Sequence, residues 1–438
     1  MVYLPHWPIP STLGKREIDY ETVFERMSLV LERLGNPHKK MPPIIHVAGT
    51  NGKGSATSLL AKIFSCAGYK THIYTSPHLH DCNERIVLNG EKISDSFLYE
   101  ILEETRLATD QTPLTFMEAF TIAAFVAFAK VPSDVVVIEC GMGGRIDATN
   151  IFEEKLLTLI MPISFDHMEY LGNSIERIAL EKAMIMRKET PLVVAAQPSA
   201  AKNIIKILAA DQKIPAFFYD EDFAIELNFE SGEFDFRDQN NFFENLPKPS
   251  LPGLHQYVNF ATAIAAATIL QQKFSITETH IRQAISSVYW PSRLEKVSGN
   301  LNKILKNPES EIWIDGAHNE AGAFACARWL EEETKKDGKE NFVICGFSKN
   351  KCKKEFLEKF RDVAKLTAVR VDGEPYPEDT QKIVEIGAKN NLQISAASDL
   401  SEAIYNITQN TTNSCRILIC GSLHLARDVR KFSKSNYK

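Results

Sequence analysis

A chain of 438 residues has room for two or three domains, and its 44% hydrophobic and 24% charged content is that of a globular protein with a sizeable core. A net charge of -6 excludes the broad basic face that duplex DNA requires, but not a local cationic cluster for a small anion. The eight cysteines, Cys66, Cys82, Cys140, Cys326, Cys345, Cys352, Cys415 and Cys420, form no C-x-x-C pair and fit a reducing cytoplasm rather than a disulfide framework.

Met1–Pro8 lacks a basic segment followed by an apolar one, so no signal peptide is expected. Ile44–Ala48 reads as a strand. Ser55–Ala67 reads as a helix with Ala56, Leu59, Leu60, Ile63 and Phe64 on one face, stopped by Gly68. His72–Thr75 is a second short strand. Thr115–Lys130 is predicted to be a buried helix; its apolar run, near Phe120–Ala129, is too short to span a bilayer, and no membrane partner is expected. Val135–Cys140 is a β-branched run of the kind found in parallel strands covered on both faces. A strand at Leu156–Ser164, a helix at Ser174–Arg187 and a strand at Leu192–Ala196 continue the series. Phe217–Lys248 is rich in Asp, Glu, Asn and Phe, and its alternation predicts antiparallel strands. A second series, Ile312–Asp315, Phe342–Cys345, Thr367–Val371 and Arg416–Cys420, predicts a separate α/β sheet. Trp290–Glu295 between the two series is the candidate linker. The expected division is 1–290, a linker at 291–297, and 298–438.

The stretch Gly49-Thr-Asn-Gly-Lys-Gly-Ser55 joins a strand to a helix. Glycines there let backbone approach an anion, the helix start offers free amides and the positive end of its dipole, and Lys53 adds a mobile charge. The pattern departs from G-x-x-x-x-G-K-[ST]: Val47 stands where the first Gly belongs, and the hydroxyl moves to Ser55. A plain surface turn would also join these elements. Glu139 ends a strand and precedes Gly141-Met-Gly-Gly144, a place where an open α/β sheet keeps a Mg²⁺ ligand, though a capping or salt-bridged Glu would read alike. Asp166-His167 and Ser76 follow further strands. The spacing of His72, His78, His80 and Cys82 matches no usual zinc pattern.

Val-Ala-Gly-Thr-Asn-Gly-Lys-Gly-Ser (47–55) resembles the ATP loop of the Mur ligase superfamily, in its folylpolyglutamate synthase and dihydrofolate synthase branch. Thr75–Leu79, Asn83–Ile86, Glu139–Asn150 and Asp166–Gly172 resemble that branch as well, as do Leu254–Asn259, Pro291–Glu295 and Asp315–Asn319. The likeness runs from about Ile18 to Arg430. It implies a central ATPase-type parallel-sheet domain followed by a smaller Rossmann-like α/β domain. It also implies ATP as co-substrate, two Mg²⁺ ions held by Ser76, Glu139 and His167, and room for a monovalent cation. The ATP residues implied are Thr50, Asn51, Gly52, Lys53, Gly54, Ser55, Asn259, Arg293 and Asp315. Those for pteroate are Thr115, Phe116, Met117, Glu118, Ile146, Asp147 and Ala148, and those for glutamate are His318 and Ser422. Lys182 matches a lysine that the family carbamylates, a step that needs a neutral amine.

There are departures. Met184 and Arg187 replace a Gly and a Lys after Lys182, and Asn350 and Cys352 replace two acids in Gly346–Lys353. The implied activity is that of a monomeric, cytoplasmic ligase of folate metabolism: a pteroate or folyl carboxylate is phosphorylated by ATP, then attacked by the glutamate amine. Lys53, Glu139, His167 and Lys182 are its implied catalytic groups. Arg145–Ala148 looks more like the bifunctional pattern than the folylpolyglutamate-only one. A folylpolyglutamate-only enzyme, another Mur-type amino-acid ligase and a non-catalytic ATP- or folate-binding protein remain alternatives.

Overall fold

Strand β1 (Ile44–Ala48) is buried along its whole length and lies near the middle of an eight-stranded sheet. The other strands are β2 (Thr71–Tyr74), β3 (Ile86–Leu88), β4 (Glu91–Lys92), β5 (Val135–Glu139), β6 (Leu157–Ile160), β7 (Leu192–Val194) and β8 (Ala216–Phe218), in the order β4-β3-β2-β5-β1-β6-β7-β8. The strands from β2 to β8 in that order are parallel, and β3 and β4 add an antiparallel edge. Register decides where the loops emerge. Val47 pairs with Glu139, Ala48 with Ile160 and Tyr74 with Ile138, so the segments after β1, β2, β5 and β6 leave one carboxyl edge together. Open α/β sheets bind ligands at such an edge.

The structure, a computed structural model, describes residues 20–299, 301, 304–349, 351, 353–374, 376–411 and 413–434. They divide into two compact units. The first comprises the chain up to Ile163, His167–Pro249 and Val258–Val288. The second comprises Ser164–Asp166, Ser250–Tyr257 and the chain from Tyr289 onward.

In the first unit, the helix after β1 spans Lys53–Cys66 and buries the predicted face. Gly52 precedes it at φ +81°, a conformation that costs L-residues a steric clash. The helix Phe116–Lys130 is apolar on all sides, and its residues Glu118–Phe128 are buried, as such a helix must be. Thr115 caps it, its hydroxyl accepting from the Glu118 amide while the Glu118 carboxylate accepts from the Thr115 amide. The helix predicted at Ser174–Arg187 is shorter, Ile175–Ala183. Past its end, the Arg187 guanidinium turns back onto the carbonyls of Met184, Met186, Phe152 and Asn150. The strand predicted at Leu156–Ser164 likewise narrows to Leu157–Ile160, because Pro162 accepts loop amides instead of ladder bonds. The acidic insert forms a separate antiparallel sheet of β9 (Ala224–Leu227), β10 (Phe234–Arg237) and β11 (Phe242–Leu246).

The second unit carries β12 (Glu295–Lys296), β13 (Glu311–Ile314), β14 (Glu340–Cys345), β15 (Lys365–Ala368), β16 (Ile394–Ala396) and β17 (Cys415–Cys420), in the order β12-β13-β17-β14-β15-β16. All but β12 are parallel. Strand β12 falls inside the predicted linker, where Glu295 pairs with Ile314. Strand β16 was not expected; it is three residues long and has too few apolar positions for a periodic signal. The seven described cysteines are free, and Cys352, like Asn350, lies outside the described residues. Among the described residues no helix is long and apolar enough to cross a membrane.

Candidate active site

The segment after β1 folds around two left-handed glycines, Gly49 and Gly52. A Cβ at Gly49 would lie 2.6 Å from the Met161 Cβ, so only glycine fits this close to the segment after β6. The Thr50 and Asn51 amides donate to the Pro162 carbonyl at 2.9 and 3.2 Å. That leaves the amides of the helix's first turn, Lys53 to Ser55, as the donors that no helical carbonyl can satisfy. Two lysine side chains converge on this loop. Lys53 Nζ donates to the carbonyls of Gly49 (3.1 Å) and Thr50 (3.2 Å) and lies 3.9 Å from Glu139 Oε1. Lys182 is 4% exposed, and its Nζ donates to the same Gly49 carbonyl at 2.9 Å. The Ser55 hydroxyl is buried without a partner. A cationic concavity with an idle hydroxyl suits phosphate oxygens.

Asn259, predicted for ATP, stands against this loop. A Cβ at Gly52 would come within 2.2 Å of its Oδ1. Gly52→Ala is therefore expected to push the Asn259 amide aside and to cost about 1–2 kcal/mol through its left-handed backbone. The KM for ATP should rise about tenfold, which corresponds to ~1.4 kcal/mol of lost binding. Steady-state kinetics with a thermal melt would check this, and an unchanged KM for ATP would contradict the placement.

The glycine loop after β5 forms the adjacent wall. A Cβ at Gly144 would lie 2.7 Å from the Glu181 carbonyl, so the loop is pressed onto the Lys182 helix, and the Arg145 amide donates to that carbonyl at 2.9 Å. Asp147 closes the loop by accepting from the amides of Met142 (2.8 Å) and Thr149 (2.9 Å) and from the Thr149 hydroxyl. Beneath it, Thr149 Oγ1 meets His46 Nε2 at 2.8 Å, and Cys140 Sγ lies 3.0 Å from the same nitrogen. Burial holds His46 well below its ordinary value, hence neutral, and pushes the Cys140 thiol up to about 12, hence inert. This layer supports the loop and does not react.

Gly141 marks a common corner. Its Cβ position is 3.3 Å from Asp147 Oδ2, 3.4 Å from Met117 Cε and 3.4 Å from Ser76 Oγ. A predicted metal ligand, Ser76, is thus brought together with members of both predicted pteroate segments. Two of those residues already have structural tasks: Thr115 caps its helix, and Glu118, 3% exposed, is paired with Arg26 at 2.7 Å. Phe116 and Ile146 pack partly buried against the core, with Ala148 buried beside them. His167 has a left-handed φ of +49° at the start of the short helix Met168–Leu171.

In the second unit, Asp315 accepts from the amides of Leu294 (2.8 Å) and Ala317 (2.7 Å), and Arg293 packs against Gly316. The Gly421 amide donates to the Ala317 carbonyl at 2.7 Å, bringing the turns that carry His318 and Ser422 side by side. Asp166 lies in this cluster. It meets His318 Nε2 at 3.1 Å, Asn319 Nδ2 at 3.3 Å and Lys351 Nζ at 2.6 Å. Lys351, between the altered positions 350 and 352, was not singled out from the sequence; its place in the altered loop was the signal. The predicted ATP residues are thus divided, with the loop and Asn259 in the first unit and Arg293 and Asp315 in the second.

A cavity of about 1080 Å³ opens at the other edge of the first sheet, near Ile44, Leu156 and Pro191. Its mixed lining, which includes Glu32, His38, Lys155 and Glu189, holds none of the predicted site residues. Among the described residues no three His, Cys, Asp or Glu side chains gather as a metal cluster. The set Ser76, Glu139 and His167 contains two residues of those types.

Residues 47–267 match the Mur ligase middle domain, and residues 296–432 match the dihydrofolate synthetase C-terminal domain. The chain is 33% identical over 431 residues to the dihydrofolate synthase/folylpolyglutamate synthase of Bacillus subtilis, covering 95% of this chain and 96% of that protein. It is similar to E. coli FolC in complex with DHPP and ADP, with a TM-score of 0.82 at 27% identity, covering 97% and 99% of the two chains. It is also similar to the bifunctional folylpolyglutamate synthase/dihydrofolate synthase of Yersinia pestis complexed with AMPPNP and Mn ion, with a TM-score of 0.82 at 25% identity and 97% and 95% coverage. Fold, loop and both domain matches agree: the chain belongs to the dihydrofolate synthase/folylpolyglutamate synthase family of Mur ligases, which are ATP-dependent amide-forming enzymes.

Proposed function

We infer that this chain joins L-glutamate to dihydropteroate and to folyl-polyglutamates, through an acyl phosphate, with release of ADP and phosphate. The observation that carries this reading is the convergence of Lys53, Lys182 and Glu139 on the Gly49–Ser55 loop. Lys53 and the first-turn amides stabilise charge on the transferring phosphoryl group, and the glycine loop positions the acid substrate at the Gly141 corner. No nucleophilic side chain is needed, because the carboxylate attacks phosphorus and the glutamate amine then attacks the acyl carbon. Catalysis is then mostly positioning and electrostatics. The match of residues 296–432 to a dihydrofolate synthetase domain favours dihydropteroate among the acids.

The donor set of Ser76, Glu139 and His167 fits Mg²⁺, being hard oxygen donors with one imidazole, and the unpartnered Ser55 hydroxyl nearby is ready for a phosphate or its hydration shell. Bound there, Mg²⁺ would neutralise phosphate oxygens. Lys182 is read as carbamylated in the working enzyme; its burial supports the neutral amine which that modification needs. His318 and Ser422 are assigned to the incoming glutamate, and Arg293 and Asp315 to ATP. The enzyme is read as a cytoplasmic monomer, and its free cysteines support that compartment.

The test is ADP release with ATP, glutamate and dihydropteroate, each omitted in turn, repeated with tetrahydrofolate as the acid. Release that needs both glutamate and the acid is expected. Nucleotide binding without turnover would favour a non-catalytic ATP- or folate-binding protein.

A further inference from the structure

Arg85 has no task in this scheme. It ends the short turn Cys82–Arg85 before β3 and is 4% exposed. Its Nε donates to His78 Nδ1 at 2.9 Å, and its Nη1 to Met117 Sδ at 3.2 Å. The guanidinium lies 5.5 and 5.6 Å from the ring centres of Phe116 and Phe120, and it reaches the Tyr74 hydroxyl. Every one of these neighbours is neutral. The acids close by in sequence are engaged elsewhere: Glu84 accepts from the amides of Leu79 and His80, Asp81 lies 3.9 Å from Lys92, and Glu118 holds Arg26. Among the described residues Arg85 has no carboxylate partner. A buried guanidinium with only neutral acceptors and aromatic faces is an incomplete ion pair, and its planar fork of donors matches a carboxylate.

Its location says which carboxylate. Met117 touches both Arg85, through its Sδ, and the Gly141 corner, through its Cε, where Ser76 Oγ and Asp147 Oδ2 also converge. The wall is thioether and phenyl, which suits a flat aryl acid. Nucleotide phosphates already have Lys53 and the first-turn amides. We propose that Arg85 receives the carboxylate of the acid substrate at the corner formed by Ser76, Met117, Gly141 and Asp147, and holds it for phosphorylation. This rests on the reading that the acid is a pteroate, and gives the Asn83–Ile86 motif its role.

The experiment measures equilibrium binding of pteroate, of its analogue lacking the carboxylate, and of ADP, to the wild-type chain and to Arg85→Gln and Arg85→Lys. Pteroate is expected to bind Arg85→Gln at least tenfold more weakly, and Arg85→Lys with an intermediate loss, because lysine keeps the charge without the fork. The decarboxylated analogue and ADP should bind all three alike. Equal weakening of both pteroate ligands would overturn the proposal, since Arg85 would then serve the ring or the fold; so would weakened ADP binding or unchanged pteroate binding. If Arg85→Gln does not fold, Arg85→Lys decides by the same comparison. A wild-type chain that binds no pteroate would instead overturn the functional reading beneath it.

Discussion

Lys53→Ala is expected to abolish glutamate-dependent ADP release while the protein melts as the wild type does. The side chain is part-exposed at the start of a 14-residue helix, and its bonds go to two loop carbonyls rather than into a core. Little folding energy is lost with it. What is lost is a cation held at the phosphate loop by the Gly49 and Thr50 carbonyls. Removing one such charge-stabilising group typically costs about 10²–10³-fold in turnover. Glu139→Gln should do similar damage by another route. It keeps the shape of a residue that is 5% exposed at the end of β5, but removes the negative charge that faces Lys53 at 3.9 Å and that a divalent cation would need. Near-normal turnover in either variant would sink the active-site assignment. Single-turnover measurements would show whether the loss lies in phosphoryl transfer, as expected, or in ATP binding.

Lys182→Ala should reduce turnover by roughly 10²-fold, the upper end for a group that orients metal ligands. The variant separates two tasks. As an amine, Lys182 ties its helix to the phosphate loop through the Gly49 carbonyl. As a carbamate, it would supply a carboxylate. Short carboxylic acids added to Lys182→Ala are expected to restore part of the activity, and wild-type activity should fall when bicarbonate and CO₂ are removed. A variant that loses activity but is not rescued by any small acid would mean that the amine clamp is the whole role. Full activity would remove Lys182 from the machinery.

Much of this was legible in the chain because it depends on neighbours in sequence. The β-branched Val135–Cys140 run pointed to a parallel strand covered on both faces, and the apolar Thr115–Lys130 stretch to a buried helix. Gly49 and Gly52 marked a loop that no bulkier residue can form, and the position of Ser55 relative to Lys53 set it apart from the commoner phosphate loops. Element ends were less legible, since distant groups set them. Beyond the Ile175–Ala183 helix, Arg187 bonds the Phe152 carbonyl, 35 residues away, and the short β12 and β16 pair at the two edges of their sheet.

The chain alone determined the strand–loop–helix units and the identity of the groups at their tips, because backbone conformation and burial pattern are local. Only the tertiary structure decided which tips meet. Parallel register carried the segments that bear Lys53, Ser76 and Glu139 to one edge; chain packing in the second unit joined Asp166 to His318 and Lys351 across 152 and 185 residues; and among the described residues Arg85 is buried with no carboxylate partner. Such long-range pairings depend on how strands order and stack, and no spacing in the sequence encodes them.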